Sequence, residues 1–214
     1  MSDESTPATG LSAHRIEALT DGIYAVAMTL LVIDLKLPEH LRGGGAELQQ
    51  ALVVLLPRFV AWAMSFFVLA LFWIGHHRVY AHVRRTDTRL VWLNIWQLAF
   101  VSLMPFCCDM LGEHGGALVS QFLYSANMAA LGVFAWLVMR HIRLHPELSV
   151  APIDEGAYRA ARLRIGGLIV ISAFALLIAT VTPFPGAGDF AFMLMAVISP
   201  LSRRLERKAA PAAA

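Results

Sequence analysis

The chain has 214 residues, 58% hydrophobic and only 15% charged, with a formal net charge of +2. A soluble domain carries about 25% charged residues, so this composition points to a membrane-embedded chain, and its length suits one compact polytopic bundle. Nucleic-acid binding is disfavoured, because the sequence offers neither a large basic surface nor an interleaved aromatic platform.

Residues 1–13 are polar and carry Ser, Thr, Pro and Gly, without the basic n-region and small-residue cleavage site of a secretory signal. They are expected to form a disordered cytoplasmic lead. Spanning a bilayer core takes ~20 apolar residues, within a range of about 17–25. Six segments qualify or nearly qualify: 16–37, 48–78, 89–111, 117–140, 160–183 and a shorter one at 187–204. The runs are continuous rather than alternating, which excludes a strand barrel. The expected fold class is an all-α polytopic membrane protein, with a six-helix transmembrane domain over 14–208 and a disordered alanine-rich tail over 209–214.

Charge placement sets the expected topology. Fourteen of the 17 Lys and Arg fall in the segments assigned to one side: Arg15; Arg78, Arg84, Arg85 and Arg89; Arg140, Arg143, Arg159, Arg162 and Arg164; and Arg203, Arg204, Arg207 and Lys208. The opposite loops hold only Lys36 and Arg42, while Arg58 lies within the second helix. Under the positive-inside rule both termini are cytoplasmic. Outer breaks are expected at 38–47 (PEHLRGGGAE), 112–116 (GEHGG) and 182–188 (TPFPGAG). The connection from His141 to Tyr158 is too short and irregular for a soluble domain. Function must therefore lie within the bundle or between subunits.

On the first helix, Gly22, Val26, Thr29 and Ile33 are spaced +4, +3 and +4 and share one face. The face is small and mildly polar, while Tyr24, Met28 and Leu31 point elsewhere. Pattern alone leaves two readings, close helix packing and pore lining, with packing the more usual. Arg15 and Asp21 are six residues apart and do not pair neatly along one helix, where partners stand three or four apart. Each is expected to meet another helix, as a hydrogen-bonded lock or, in a sharper reading, as an ion-handling acid. His76 and His77 point about 100° apart, a poor grip for one metal, for which i, i+4 is the useful spacing. Hydrogen bonding is their expected role, and either histidine is placed to donate to Asp21.

Amides at lipid depth, Asn94 and Asn127 among them, usually bond across helices. Cys107 and Cys108 are adjacent and poorly suited to an unstrained disulfide; they read as small core residues. No Ser-His-Asp arrangement, nucleotide loop or carboxylate pair appears at a catalytic spacing, and the TVGYG carbonyl filter is absent.

Several separated motifs nevertheless agree in order with one family. Arg15, Leu19, Thr20 and Asp21 resemble the R-x-x-x-F-S-D signature of the lysosomal and bacterial potassium channels related to transmembrane protein 175. Thr29-Leu30-Leu31-Val32 through Pro38 follows the same family. So do Phe72-Trp73 with His76-His77, Leu93-Asn94 with Val101-Ser102-Leu103-Met104-Pro105-Phe106, and Tyr124-Ser125-Ala126-Asn127. The resemblance covers about 15–140; beyond it the last two segments match only in length and hydrophobicity.

The resemblance implies a single-repeat bacterial type, a homotetramer in the bacterial inner membrane that passes monovalent cations and needs no cofactor beyond potassium as permeant ion. Val26 takes the position of the family's apolar constriction and Thr29 that of its threonine ring, where potassium would sit transiently. Ile33 forms an outer apolar layer, and Leu30 adjoins the pathway. Arg15, Thr20, Asp21, Trp73, His76, His77 and Asn94 would lock the pore helix in place. Phe-Ser of the signature has become Leu19-Thr20, which keeps an apolar group and a hydroxyl but loses a ring, so the lock is expected to differ in geometry. Val26 is smaller than the usual Leu or Ile, so a leakier or less selective pore than the family norm is expected. The alternative function is a proton-coupled secondary transporter using Asp21, against which stand the lack of an evident inverted repeat and of paired broken helices.

Overall fold

The computed structural model describes residues 12–37, 44–151 and 155–181. Over these residues the chain folds into five helices long and apolar enough to cross a membrane, and no named strand is present among them. They are α1 (Ala13–Leu30), α2 (Gly45–Tyr80), α3 (Thr88–His114), α4 (Leu118–Leu144) and α5 (Glu155–Val181). The sequence-predicted sixth segment, 187–204, lies outside the described residues.

α1 buries Ile16, Thr20, Tyr24 and Ala27, and Leu31 continues the same side; the steps of +4, +4, +3 and +4 trace one helical face. At Leu31 the helix tightens into a 3-10 turn, Leu31–Asp34. α2 has 36 residues, roughly 54 Å at ~1.5 Å per residue, and so projects beyond a hydrocarbon core of about 30 Å.

α3 is the central element. It packs against α1, α2 and α4, and α4 in turn carries α5. The main core gathers Tyr24, Leu69, Met104, Tyr124, Met128 and Leu168, drawn from all five helices. A second apolar cluster, including Ile16, Tyr80, Leu90 and Ile142, closes the end where the arginines gather. Cys107 and Cys108 are buried free thiols.

At that end two connections are clasped together. Val83 and Ser149 form an antiparallel bridge, with Arg84 N–H donating to the Leu148 carbonyl at 2.7 Å and Val150 N–H to that of His82 at 2.8 Å. Asp87 caps α3 by accepting from the Leu90 N–H at 2.7 Å. It also accepts from Nε2 of buried His141 on α4, again at 2.7 Å. Partial burial pulls the Asp87 carboxyl upward, yet the Leu90 N–H and His141 outweigh it and hold Asp87 below its ordinary value.

Two expected breaks shift. α2 begins at Gly45, inside the expected loop 38–47. α3 runs on to His114, so most of 112–116 is helical. The cause is packing against α2: a Cβ on Gly112 would stand 3.2 Å from the Arg58 Cα, and Arg58 donates to Glu113 at 2.6 Å. Glycine there permits backbone approach inside a helix rather than ending it.

Candidate functional site

The site is built on α1, whose two sides differ. On the buried side, two polar residues of α1 are tied to neighbouring helices. Asn94 Nδ2 on α3 donates to Thr20 Oγ1 at 3.2 Å, and Asn94 Oδ1 accepts from His76 Nε2 on α2 at 2.8 Å. One turn further along, Gln97 Nε2 donates to the Tyr24 hydroxyl at 3.4 Å. Thr20, Tyr24, Asn94, Gln97 and His76 are all buried, where an unmatched polar group costs about 1–3 kcal/mol. At the margin of this side, Trp73 Nε1 on α2 donates to Asp21 Oδ1 at 2.8 Å.

The residues expected to lock α1 therefore divide. Thr20, His76 and Asn94 form a buried relay through three helices, and Asp21 pairs with Trp73 in an exposed contact. Neither histidine reaches Asp21. His76 faces inward to Asn94 and stacks on Tyr80 with ring centroids 4.0 Å apart. His77, the next residue round the helix, is exposed and stacks on Trp73, four residues earlier, at 6.3 Å. Arg15 is exposed and makes no side-chain hydrogen bond or ion pair among the described residues.

Among the described residues, nothing covers the opposite side of α1. Gly22, Val26, Thr29, Leu30 and Ile33 are all exposed. Val26 is 56% accessible, against 0% for Tyr24 two positions away. Thr29 Oγ1 donates to the Val26 carbonyl at 2.8 Å. Its proton is thereby committed to the helix, leaving the hydroxyl lone pairs facing outward as acceptors. A Cβ built on Gly22 meets nothing within 4 Å. Among the described residues no group of three His, Cys, Asp or Glu stands close enough to hold a metal ion.

Sequence reasoning missed Gln97 with Tyr24. The signal was available in register: Asn94 and Gln97 are three apart on α3, and Thr20 and Tyr24 four apart on α1, so both pairs lie on facing stripes. It also missed Ser65 with Tyr124 (3.0 Å), which ties α2 to α4, and Asp87 with His141.

The model of the family described as endosomal/lysosomal potassium channel TMEM175 matches residues 15–105, the span that holds every residue of this site. A potassium channel of Streptomyces collinus is 34% identical over 154 residues, covering 70% of this chain and 74% of the relative. The chain belongs to the TMEM175 family. A second TMEM175 relative, a potassium channel of Chamaesiphon minutus, is 31% identical over 167 residues, covering 76% of this chain and 82% of its own. The crystal structure of a TMEM175 homolog from Chamaesiphon minutus, described as a lysosomal potassium-selective channel, superposes with a TM-score of 0.67 at 24% identity, covering 92% of this chain and 98% of that one. This likeness supports the fold. The family is one of ion channels, not enzymes.

Proposed function

We propose that the chain is a potassium-preferring cation channel of the bacterial inner membrane. In this reading it is a homotetramer of six-helix subunits with both termini cytoplasmic, and α1 lines the pore. The carrying observation is the asymmetry of α1. One side is buried and tied to α2 and α3; the other, with Gly22, Val26, Thr29 and Ile33, is exposed and has no cover among the described residues. A fourfold arrangement turns that side towards a shared axis. The relatives named as potassium channels support the permeant ion.

Val26 to Ile33 spans ~10 Å at ~1.5 Å per residue, room for an apolar ring, a hydroxyl ring and an outer apolar ring in sequence. Four Thr29 hydroxyls, each with its proton given to the Val26 carbonyl, present oxygen acceptors that replace part of a cation's hydration shell. No charge stands at the constriction, so discrimination is modest. A ring of valine is wider than one of leucine and dewets less readily, which sets a leaky baseline. Thr20, His76 and Asn94, with Asp21 and Trp73, hold α1 in place. The transporter reading has less support, because Asp21 is already engaged by the Trp73 indole.

Purified protein in potassium-loaded liposomes tests the assignment. Thr29→Val is expected to lower the potassium-over-sodium preference, and Val26→Leu to lower total flux. Unchanged flux and preference in both variants would overturn it. Vertebrate relatives are named proton channels, so the same liposomes should be read for proton flux. Strict coupling of protons to a co-substrate would favour the transporter.

A further inference from the structure

The mouth of the bundle opposite the Arg58–Glu113 pair carries a cluster that the pore does not use. Arg143, in the last turn of α4, lies over the Tyr158 ring of α5 with its guanidinium carbon 4.0 Å from the centroid. The Arg162 guanidinium stands 5.9 Å from the same ring. Arg143 donates to Glu155 at 2.7 Å and Arg159 to Glu155 at 3.2 Å. Two guanidiniums thus share one carboxylate, and that of Arg162 stands near them on the Tyr158 ring. Each guanidinium has five N–H donors, and the single carboxylate occupies few of them. The side chains of Arg143, Glu155 and Arg159 are 39%, 52% and 73% exposed. The two hydrogen-bonded arginines hold Glu155 below the ordinary carboxylate value; it stays charged, and the cluster still keeps a surplus of two positive charges.

What continues below the cluster sets it apart from an ordinary solvated basic face. Leu163, Val170, Phe174, Leu177 and Val181 are exposed, and their steps of +7, +4, +3 and +4 continue the stripe of Arg159 down one side of α5. Gly166 lies on this stripe just beneath the arginines, and a Cβ built there meets nothing within 4 Å. The surface is therefore a cationic head above an apolar face that is open among the described residues, starting where the membrane-spanning part of α5 starts.

We infer that this surface binds an anionic glycerophospholipid of the cytoplasmic leaflet, its phosphate among Arg143, Arg159 and Arg162 and an acyl chain along Gly166 and Val170. Charge complementarity selects this occupant. A second copy of the same face would bring more arginines. The chain's own residues 182–214 carry Arg203, Arg204, Arg207 and Lys208 against Asp189 and Glu206, a further positive surplus. A zwitterionic lipid would leave the extra charge unmatched.

Native mass spectrometry of protein extracted from mixed phosphatidylglycerol and phosphatidylcholine membranes tests the inference without reading any flux, so its outcome is independent of the pore assignment. The wild type is expected to retain phosphatidylglycerol preferentially. R143Q/R159Q/R162Q should reduce that preference by roughly fivefold per arginine removed, whereas R78Q/R84Q/R85Q should keep it. Equal losses in the two triple variants, or no loss in the first, would overturn the inference in favour of diffuse surface charge. Displacement of the lipid by inorganic phosphate alone would overturn it in favour of a free-anion site. Should the first variant fail to fold, a photoactivatable phosphatidylglycerol on the wild type decides: crosslinks in the α4–α5 peptides around Arg143 and Gly166 support the site, and crosslinks confined elsewhere refute it.

Discussion

Replacing Asn94 with leucine tests the anchorage of α1 most directly. Leucine matches asparagine roughly in size, so the perturbation is mainly polar. It removes the 2.8 Å bond from His76 and the 3.2 Å bond to Thr20. The imidazole N–H and the Thr20 oxygen are left buried without Asn94. Hydrogen bonds between membrane helices average ~0.6 kcal/mol and reach ~1.7 in double-mutant cycles. Two lost bonds therefore give a destabilisation of about 1–3 kcal/mol, the larger share from the shorter His76 contact. Thr20→Val removes one bond and should cost about 0.6 kcal/mol. The double variant should fall short of the sum of the singles by about that amount, because the Asn94–Thr20 bond is lost in either single. Equilibrium unfolding in mixed detergent micelles, followed by tryptophan fluorescence, measures all three. A double variant that is strictly additive would refute the Asn94–Thr20 coupling, and an Asn94→Leu protein as stable as wild type would refute the relay.

Two other substitutions probe the ends of the bundle. Gly112→Ala places a Cβ 3.0 Å from the Arg58 Cγ and 3.2 Å from its Cα; α2 and α3 must part, at a cost of about 1–3 kcal/mol. Gly166→Ala, inside α5 with open space beside it, should be neutral or stabilising by up to about 1 kcal/mol, and equal melting of the two variants would refute the packing argument. Asp87→Asn keeps an acceptor for Leu90 and His141 but loses the charge. Because the folded Asp87 carboxyl titrates below its ordinary value of 3.8, its contribution is present above that value and lost as pH falls through the folded one. The variant should therefore melt earlier than wild type at neutral pH, and the gap should close in strong acid; a gap that persists there would contradict the assignment.

The helices were legible because their apolar runs are long and their ends carry glycine, proline or charge. Where glycine misled, packing explains it: Gly112 serves the close approach of Arg58 inside α3 rather than a turn. The tightening of α1 into a 3-10 turn at Leu31 has no counterpart in the apolar pattern. Residue types pointed to part of the anchorage, since Asn94 and His76 are polar groups near or at lipid depth that need partners, while Thr20 entered only through the family resemblance. They did not name the pairs. His76 and His77 are alike in one dimension, and only the packed orientation of α2 turns the first inward and leaves the second on Trp73. Asp87 and His141, 54 residues apart, meet because α3 and α4 start and finish at the same level, which no local pattern reveals.

The anchorage also bears on which residues α1 can present. Apolar packing through Ala27 and Leu31 is non-directional and tolerates rotation of a helix about its axis. Hydrogen bonds do not. The Thr20 and Asp21 ties come from two different helices and leave α1 about 100° apart, as consecutive residues must. Rotating α1 by half a residue step, about 50°, moves a Cα on its ~2.3 Å radius by roughly 2 Å. A shift of that size breaks both ties. Together they fix the azimuth to less than the step that would put Leu30 in the place of Thr29 in line with Val26 and Ile33. On the proposed reading, selectivity then depends on residues that never meet the ion. Asn94→Leu should lower potassium preference in the liposome assay while leaving Val26 and Thr29 chemically intact, and an unchanged preference in a destabilised protein would separate stability from pore alignment.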